Sequence, residues 1–198
     1  MNYLVQYCQN ELNIKNSRFI SELFTINSQQ EARNLLKEQK TKYYDATHVV
    51  HAFVIGKNAE VLGMSDDGEP SGTAGRPALD VLKGSGCTNI MLTITRYFGG
   101  TLLGTGGLVK AYSDSCKEIL KKAQELNLIQ PLIEKTAFSF NCDYQFYDKI
   151  KRFMSNFEIY DLSEDFQAEI SIMGKIVAIE FSDFASQIKE QIGRASCR

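Results

Sequence analysis

The sequence predicts an α+β protein built from two domains. Segments rich in β-branched and aromatic residues alternate with segments whose apolar residues have helical spacing. The helical pattern breaks at Pro131, after which strand-like and helix-like segments begin again. We therefore expect one domain at 1–131 and a smaller one at 132–198, which a chain of 198 residues is long enough to form.

In the first domain, strands and helices are expected to alternate along the chain. Ser28 and Glu31 form a capping box that predicts the start of an amphipathic helix. A second helix is predicted to start near Pro77, because proline suits the first helical turn. A third is predicted over 108–126. The predicted strands are 22–26 (ELFTI), 47–56 (THVVHAFVIG), 60–67 (EVLGMSDD) and 89–98 (NIMLTITRYF).

In the second domain, the pattern predicts a small α/β plait. Its predicted strands are 135–144, 157–163, 168–174 and 175–183, and its predicted helices are 145–156 and 184–192. The terminal residues 193–198 (GRASCR) have no periodicity, and we interpret them as a tail.

Composition excludes several classes of function. The net charge of −2 argues against the global basic field that drives nonspecific nucleic-acid binding, so such a role needs a local basic patch. No apolar run is long enough to span a membrane, and the N-terminus does not resemble a signal peptide. Five scattered cysteines without C-x-x-C spacing indicate reduced thiols, and we expect a cytoplasmic protein without a cofactor.

The stretch 96–115 (RYFGGTLLGTGGLVKAYSDS) places a glycine cluster between a strand and a helix. Such an arrangement gathers unpaired backbone N–H groups at a helix N-terminus, which predicts an anion site. Neither the P-loop pattern nor G-x-G-x-x-G is present, so tight packing and turn geometry remain open as alternative reasons for the glycines. The candidate binding residues here are Arg96, Gly99, Gly100, Gly104, Gly106, Gly107 and Lys110.

A second loop, SDDGEPSGTAGRP at 65–77, contains three carboxylates, those of Asp66, Asp67 and Glu69. Together they are a candidate acidic site that binds a hard cation or supplies a general base. The alternative is that they stabilise a glycine- and proline-rich turn. His48 and His51 would lie on opposite faces of one strand, so they cannot share a metal ion, and no catalytic triad is indicated.

Four stretches resemble the YigZ/IMPACT family. They are 65–82 (SDDGEPSGTAGRPALDVL), 95–115 (TRYFGGTLLGTGGLVKAYSDS), 14–21 (IKNSRFIS) and 45–53 (DATHVVHAF), so the resemblance extends over about residues 10–130. Many relatives have another residue where this chain has His51, which is therefore not expected to be functional.

The resemblance implies an N-terminal domain with the fold of the second domain of ribosomal protein S-five, and a small ferredoxin-like C-terminal domain of the bacterial type. Eukaryotic members of the family regulate translation by competing for the activator of a kinase that phosphorylates an initiation factor. The implied function is non-enzymatic binding of RNA, the ribosome or a translation-associated protein, with Arg18, Arg76, Arg96 and Lys110 contacting phosphates. Two alternatives remain: an enzyme acting on a phosphorylated small molecule, and a protein-docking module.

Overall fold

The computed structural model describes residues 1–193, and the described chain forms two compact units. The first unit is Met1–Leu132, and the second begins at Ile133. Of the tail predicted at 193–198, only Gly193 is described, and 194–198 lie outside the described residues. Among the described residues, no helix combines the length and the hydropathy that a bilayer-spanning segment requires.

The first unit contains two sheets and three helices. The larger sheet is antiparallel, in the order β2-β3-β7-β4-β5, and the smaller has the order β6-β1-β8. The strands are β1 Asn2–Leu4, β2 Cys8–Ile14, β3 Ser17–Thr25, β4 His48–Ile55, β5 Val61–Ser65, β6 Cys87–Thr88, β7 Ile90–Tyr97 and β8 Ile129–Pro131. The helices are α1 Gln29–Lys42, α2 Gly75–Gly84 and α3 Gly104–Glu125.

The helices cover both faces of the larger sheet. Apolar residues of α2 and α3, among them Leu82 and Ile119, pack with the sheet residues Leu23 and Ile94 in the main core. Helix α1 packs on the opposite face, in a smaller cluster that includes Met91. The predicted capping box of α1 is confirmed, because the Glu31 N–H donates to Ser28 Oγ at 3.2 Å.

Three predictions for the first unit are corrected by the structure. Strands β1 and β2 were not expected, and β3 begins at Ser17 rather than at Glu22. Lys15 and Asn16 form the two-residue turn that joins β2 to β3. Their φ angles of 47° and 64° are the positive values that such a turn needs at both central positions. Helix α3 begins at Gly104, four residues earlier than predicted, so three of the clustered glycines lie in its first turn.

The second unit is a three-stranded antiparallel sheet with helices, in the order β10-β11-β9. Its elements are β9 Lys135–Cys142, α4 Tyr144–Met154, β10 Ile159–Phe166, β11 Ile170–Val177, a 3-10 turn Ala178–Glu180 and α5 Phe181–Gly193. The two strands predicted at 168–174 and 175–183 are wrong: β11 continues through Gly174 and is followed by the turn and α5. A Cβ at Gly174 would lie 3.0 Å from the Phe138 ring, so this glycine serves packing within the sheet.

The thiols of Cys8, Cys87, Cys116 and Cys142 are buried and unbridged. Burial raises the pKa of the Cys116 thiol well above its ordinary value, so this group stays protonated and packs as a small apolar side chain.

Candidate functional site

A cleft of about 410 Å³ opens in the first unit where the acidic loop, residues 66–74, faces the glycine-rich loop, residues 98–103. We call it the α3 cleft, because the start of helix α3 forms one of its edges. Its apolar wall consists of Pro70, Phe98, Leu102, Leu103 and Leu108. The remaining lining residues are Thr47, His48, Gly68, Glu69, Arg96, Gly104 and Thr105.

Helix α3 begins without a cap. Leu103 occupies the N-cap position and has no side-chain oxygen that could accept the first N–H groups of the helix. The exposed backbone amides of Gly104, Thr105 and Gly106 have no hydrogen-bond acceptor among the described residues. The positive end of the helix dipole and three free donors therefore meet at the edge of the cleft.

The glycines around this helix start have different physical reasons. A Cβ at Gly99 would lie 2.0 Å from the backbone of Asn16, so Gly99 permits a close approach of two chain segments. Gly100 and Gly104 have φ of 83° and 74°, which a side chain would disfavour. A Cβ at Gly106 would meet no other atom within 4 Å, so packing does not require glycine at this position.

Helix α2 begins in the opposite way, because a carboxylate of the same loop closes it. Asp66 accepts from the N–H groups of Gly72 at 2.8 Å, Ala74 at 3.0 Å and Gly75 at 2.8 Å. Burial alone would raise the pKa of Asp66, but these three donors lower it below its ordinary value. The N-terminus of α2 therefore has no free donors at these positions with which to bind an external anion.

Glu69 and Arg96 form a buried ion pair in the wall of the cleft. Arg96 Nη1 lies 2.6 Å from Glu69 Oε1, and the two side chains are 6% and 3% exposed. The Tyr112 hydroxyl donates to the same carboxylate oxygen at 2.8 Å. Burial, together with the neighbouring Glu69 charge, raises the pKa of Tyr112 far above its ordinary value, so this hydroxyl keeps its proton. Arg96 therefore lines the cleft but is not the surface phosphate contact that the sequence predicted.

The third carboxylate, Asp67, contacts a different set of groups. Its oxygens accept from the Val49 N–H at 2.6 Å and pair with Lys40 Nζ at 2.5 Å. Its backbone carbonyl lies 2.7 Å from His48 Nδ1. Burial would raise the pKa of Asp67, but the Lys40 ammonium and the Val49 N–H lower it.

The three acids thus do not converge on one point. Asp66, Asp67 and Glu69 are held by separate donors, and the described part of the chain contains no cluster of three His, Cys, Asp or Glu side chains suited to a metal ion. His48 lines the cleft, with Nε2 3.8 Å from Glu69 Oε2. His51, three residues further along β4, is not among the lining residues.

The other basic residues predicted for the site lie outside the cleft lining. Arg18 stacks on the Tyr97 ring at 4.5 Å and, one residue before Phe19 in β3, lies on the sheet face opposite Arg96. Lys110 pairs with Asp114 at 2.8 Å, and Arg76 pairs with Asp80 at 2.9 Å. The predicted four-residue basic surface is therefore not assembled.

Sequence reasoning missed the apolar part of the site. Phe98 and Leu102 are 45% and 83% exposed, although large apolar side chains are usually buried. The available signal was their position in the glycine cluster, since Phe98 directly precedes Gly99 and Leu102 lies between Gly100 and Gly104. Tyr112 lies within the helix predicted over 108–126, but sequence spacing does not reveal its hydrogen bond, because its partner Glu69 lies 43 residues away.

Together, the fold and the site define a mixed α+β protein of two units, with one helix N-terminus left open beside an apolar cleft. A family model described as the Impact N-terminal domain matches residues 15–120, a range that includes every residue lining the α3 cleft. The chain belongs to the IMPACT family.

Relatives of this family match almost the whole chain. An IMPACT family member of Haemophilus influenzae is 37% identical over 183 residues, covering 91% of this chain and 87% of the relative. YigZ, an IMPACT family member of Escherichia coli, is 33% identical over 179 residues, covering 89% and 86%. The crystal structure of a hypothetical protein matches 96% of this chain and 91% of its own, with 31% identity and a TM-score of 0.64.

Proposed function

We propose that this chain is a non-enzymatic, cytoplasmic regulator of translation, and that its α3 cleft binds an anionic group of a translation-associated partner. The observation that carries the proposal is the open start of α3, where the amides of Gly104, Thr105 and Gly106 are exposed without acceptors. Membership of the IMPACT family supports a role in translation, because eukaryotic members of the family regulate it.

A non-enzymatic role is supported by the carboxylates around the cleft. Glu69 pairs with Arg96, Asp67 pairs with Lys40, and Asp66 accepts hydrogen bonds from three backbone N–H groups. A general base or a metal ligand needs a carboxylate that is free to take a proton or a cation. The enzyme hypothesis predicts that a nucleotide with Mg²⁺ raises the melting temperature, and that Asp67→Asn abolishes the rise.

RNA is a second candidate partner. A phosphate oxygen suits a helix N-terminus, and Arg18 is exposed beside the glycine-rich loop. Against it, Arg76, Arg96 and Lys110 already pair with carboxylates. If RNA binds electrostatically, its affinity should fall steeply as salt rises.

The finer fold assignments are also proposals. We propose that the first unit has the fold of the second domain of ribosomal protein S-five, and that the second unit is ferredoxin-like. The order β9, α4, β10, β11, α5, with β11 between its two neighbours, supports the second assignment. The described elements match the first five elements of a ferredoxin-like plait, β-α-β-β-α.

Sedimentation with purified ribosomes tests the proposed function. The Glu side chain in Gly106→Glu would compete for the free amides or repel an anionic ligand. Gly106→Ala keeps the amide and adds only a methyl group in open space. We expect the wild type and Gly106→Ala to cosediment, and Gly106→Glu to lose about tenfold or more in affinity, the usual value of a charge-assisted hydrogen bond. Equal binding of all three proteins, or no binding by any, would contradict the proposal.

A further inference from the structure

We infer that the occupant of the α3 cleft is the C-terminal residue of a partner polypeptide. Its carboxylate accepts from the amides of Gly104, Thr105 and Gly106, and its apolar side chain enters the cleft. This inference rests on the proposed function, because it names the partner of the same site.

The charges around the cleft favour an anion with a single charge. Arg96 is neutralised by Glu69, and Lys110 by Asp114. The Glu69 carboxylate itself lies in the wall, 3% exposed. A phosphate monoester with up to two negative charges would need an additional cation here, whereas a carboxylate needs only the helix dipole and the free amides.

The shape of the cleft favours a chain terminus over an acidic side chain. Gly104 and Thr105 line the same cleft as Leu103 and Leu108, so the anion donors and the apolar wall lie side by side. In a C-terminal residue the carboxylate and the side chain are attached to one Cα, so a single residue can offer one to the donors and the other to the apolar wall. Capture of a terminal carboxylate by consecutive backbone amides is an established mode of peptide recognition.

A buried donor in the wall independently indicates a missing partner. Arg96 lines the cleft and its side chain is 6% exposed, yet its Nε has no hydrogen-bond partner. An unsatisfied buried donor is costly, and in native proteins it usually bonds to a ligand or to ordered water. The other guanidinium nitrogens already pair with Glu69 and Ser17 among the described residues, so Nε is the one donor of Arg96 that a bound group or an ordered water could still satisfy.

The exposed apolar residues are explained by the same occupant. Phe98 and Leu102 lie next to the open helix start, and each leaves a large part of its apolar surface in solvent. Bound peptide residues would cover both side chains, and apolar surface removed from water is the main source of affinity in such contacts. Leu102 is therefore expected to contribute to binding but not to stability.

Fluorescence anisotropy with labelled peptides tests the inference. The probes are a set of ten-residue peptides of varied sequence ending in Leu, Ile, Val or Phe, each made with a free C-terminal carboxylate and with a C-terminal amide. The proteins are the wild-type full chain, Gly106→Glu, Leu102→Ser and the control Asp80→Asn. A single-stranded RNA of mixed sequence is the competing probe.

We expect free-acid peptides to bind the wild type and the control variant Asp80→Asn alike, because Asp80 is exposed and is not among the residues that line the cleft. Amidation of the peptide, Gly106→Glu and Leu102→Ser should each weaken binding by about tenfold or more, as the loss of a charge-assisted hydrogen bond or of a buried Leu implies. Equal binding of the free-acid and amidated forms overturns the inference, and so does an absence of binding by every free-acid peptide. If Gly106→Glu instead weakens the binding of RNA, the proposed function stands and only the terminal-carboxylate inference fails.

Discussion

The N-termini of α2 and α3 both follow glycine-rich loops, but they differ in what occupies their first amides. At α2, Asp66 reaches across its own loop and accepts from three backbone N–H groups. At α3, Leu103 at the cap position offers no acceptor, and three exposed amides stay unpaired. A glycine-rich loop alone therefore does not make an anion site, because one carboxylate six to nine residues upstream is enough to close it.

The largest expected effect is at Glu69, which joins the closed loop to the buried Arg96. Glu69→Gln should destabilise the protein by about 3–5 kcal/mol, because it leaves the Arg96 guanidinium buried without a countercharge. The free energy of unfolding from urea titration measures this. Asp80→Asn, which removes one partner of an exposed pair, is the control and should change it by about 0.5 kcal/mol or less. Similar losses in both variants would show that the buried pair has no special weight.

Replacing a first-turn glycine by alanine should change the stability of the protein in opposite directions at the two helices. A Cβ at Gly75 would lie 2.7 Å from the Ser65 backbone, so Gly75→Ala should destabilise by about 1–3 kcal/mol. A Cβ at Gly106 meets nothing within 4 Å, so Gly106→Ala should stabilise by about 0.5–1 kcal/mol through helix propensity. Thermal unfolding of the two variants checks this, and a destabilising Gly106→Ala would mean that the start of α3 is packed rather than open.

Closure of α2 by Asp66 should make stability depend on pH. The pKa of Asp66 is lowered in the folded protein, so its stabilising contribution is complete above the ordinary value of 3.8 and is lost as pH falls through the folded value. Asp66→Ala should cost about 1–2 kcal/mol near neutral pH, because it removes the acceptor for the three N–H groups, and its difference from the wild type should shrink in acid. Melting temperatures of the wild type and the Asp66 variant, measured from neutral pH to below pH 3.8, test this prediction. A difference that does not change with pH would contradict the capping role of the carboxylate.

The smallest expected effect comes from giving α3 the carboxylate that α2 already has. Gly106→Glu should be more stable than Gly106→Gln by about 0.3–1 kcal/mol, because a negative charge in the first turn complements the helix dipole. Gly106→Gln is the uncharged control of the same size. The gain should decline with salt, since the charge is exposed. Loss of stability in Gly106→Glu but not in Gly106→Gln would indicate that negative charge is unfavourable at this position.

Local sequence rules predicted what depends on near neighbours. The Ser28–Glu31 capping box is an example, because donor and acceptor are three residues apart. The Lys15–Asn16 turn was missed because neither residue is glycine, the usual indicator of a two-residue hairpin.

The site itself depends on contacts that sequence spacing does not reveal. Arg96 was predicted as a surface cation because the sequence does not show that Glu69, 27 residues earlier, is buried against it. Asp66 was a candidate metal ligand until the fold brought three amides to its carboxylate. The open start of α3 was anticipated in kind, since the glycine cluster between a strand and a helix indicated unpaired donors. The sequence did not reveal that α3 begins at Gly104, or that Phe98 and Leu102 form an apolar wall beside it.

An amide titration tests the contrast between the two helix starts most directly. The probe is N-acetyl-leucine, which attaches a carboxylate and an apolar side chain to one Cα, and ¹⁵N–¹H correlation spectra of the full chain report each backbone amide. We predict that the amides of Gly104, Thr105 and Gly106 shift in a saturable way, while those of Gly72, Ala74 and Gly75 do not, and that N-acetyl-leucinamide has no such effect. Unmoved amides at α3, or equal shifts at both helix starts, would contradict the account.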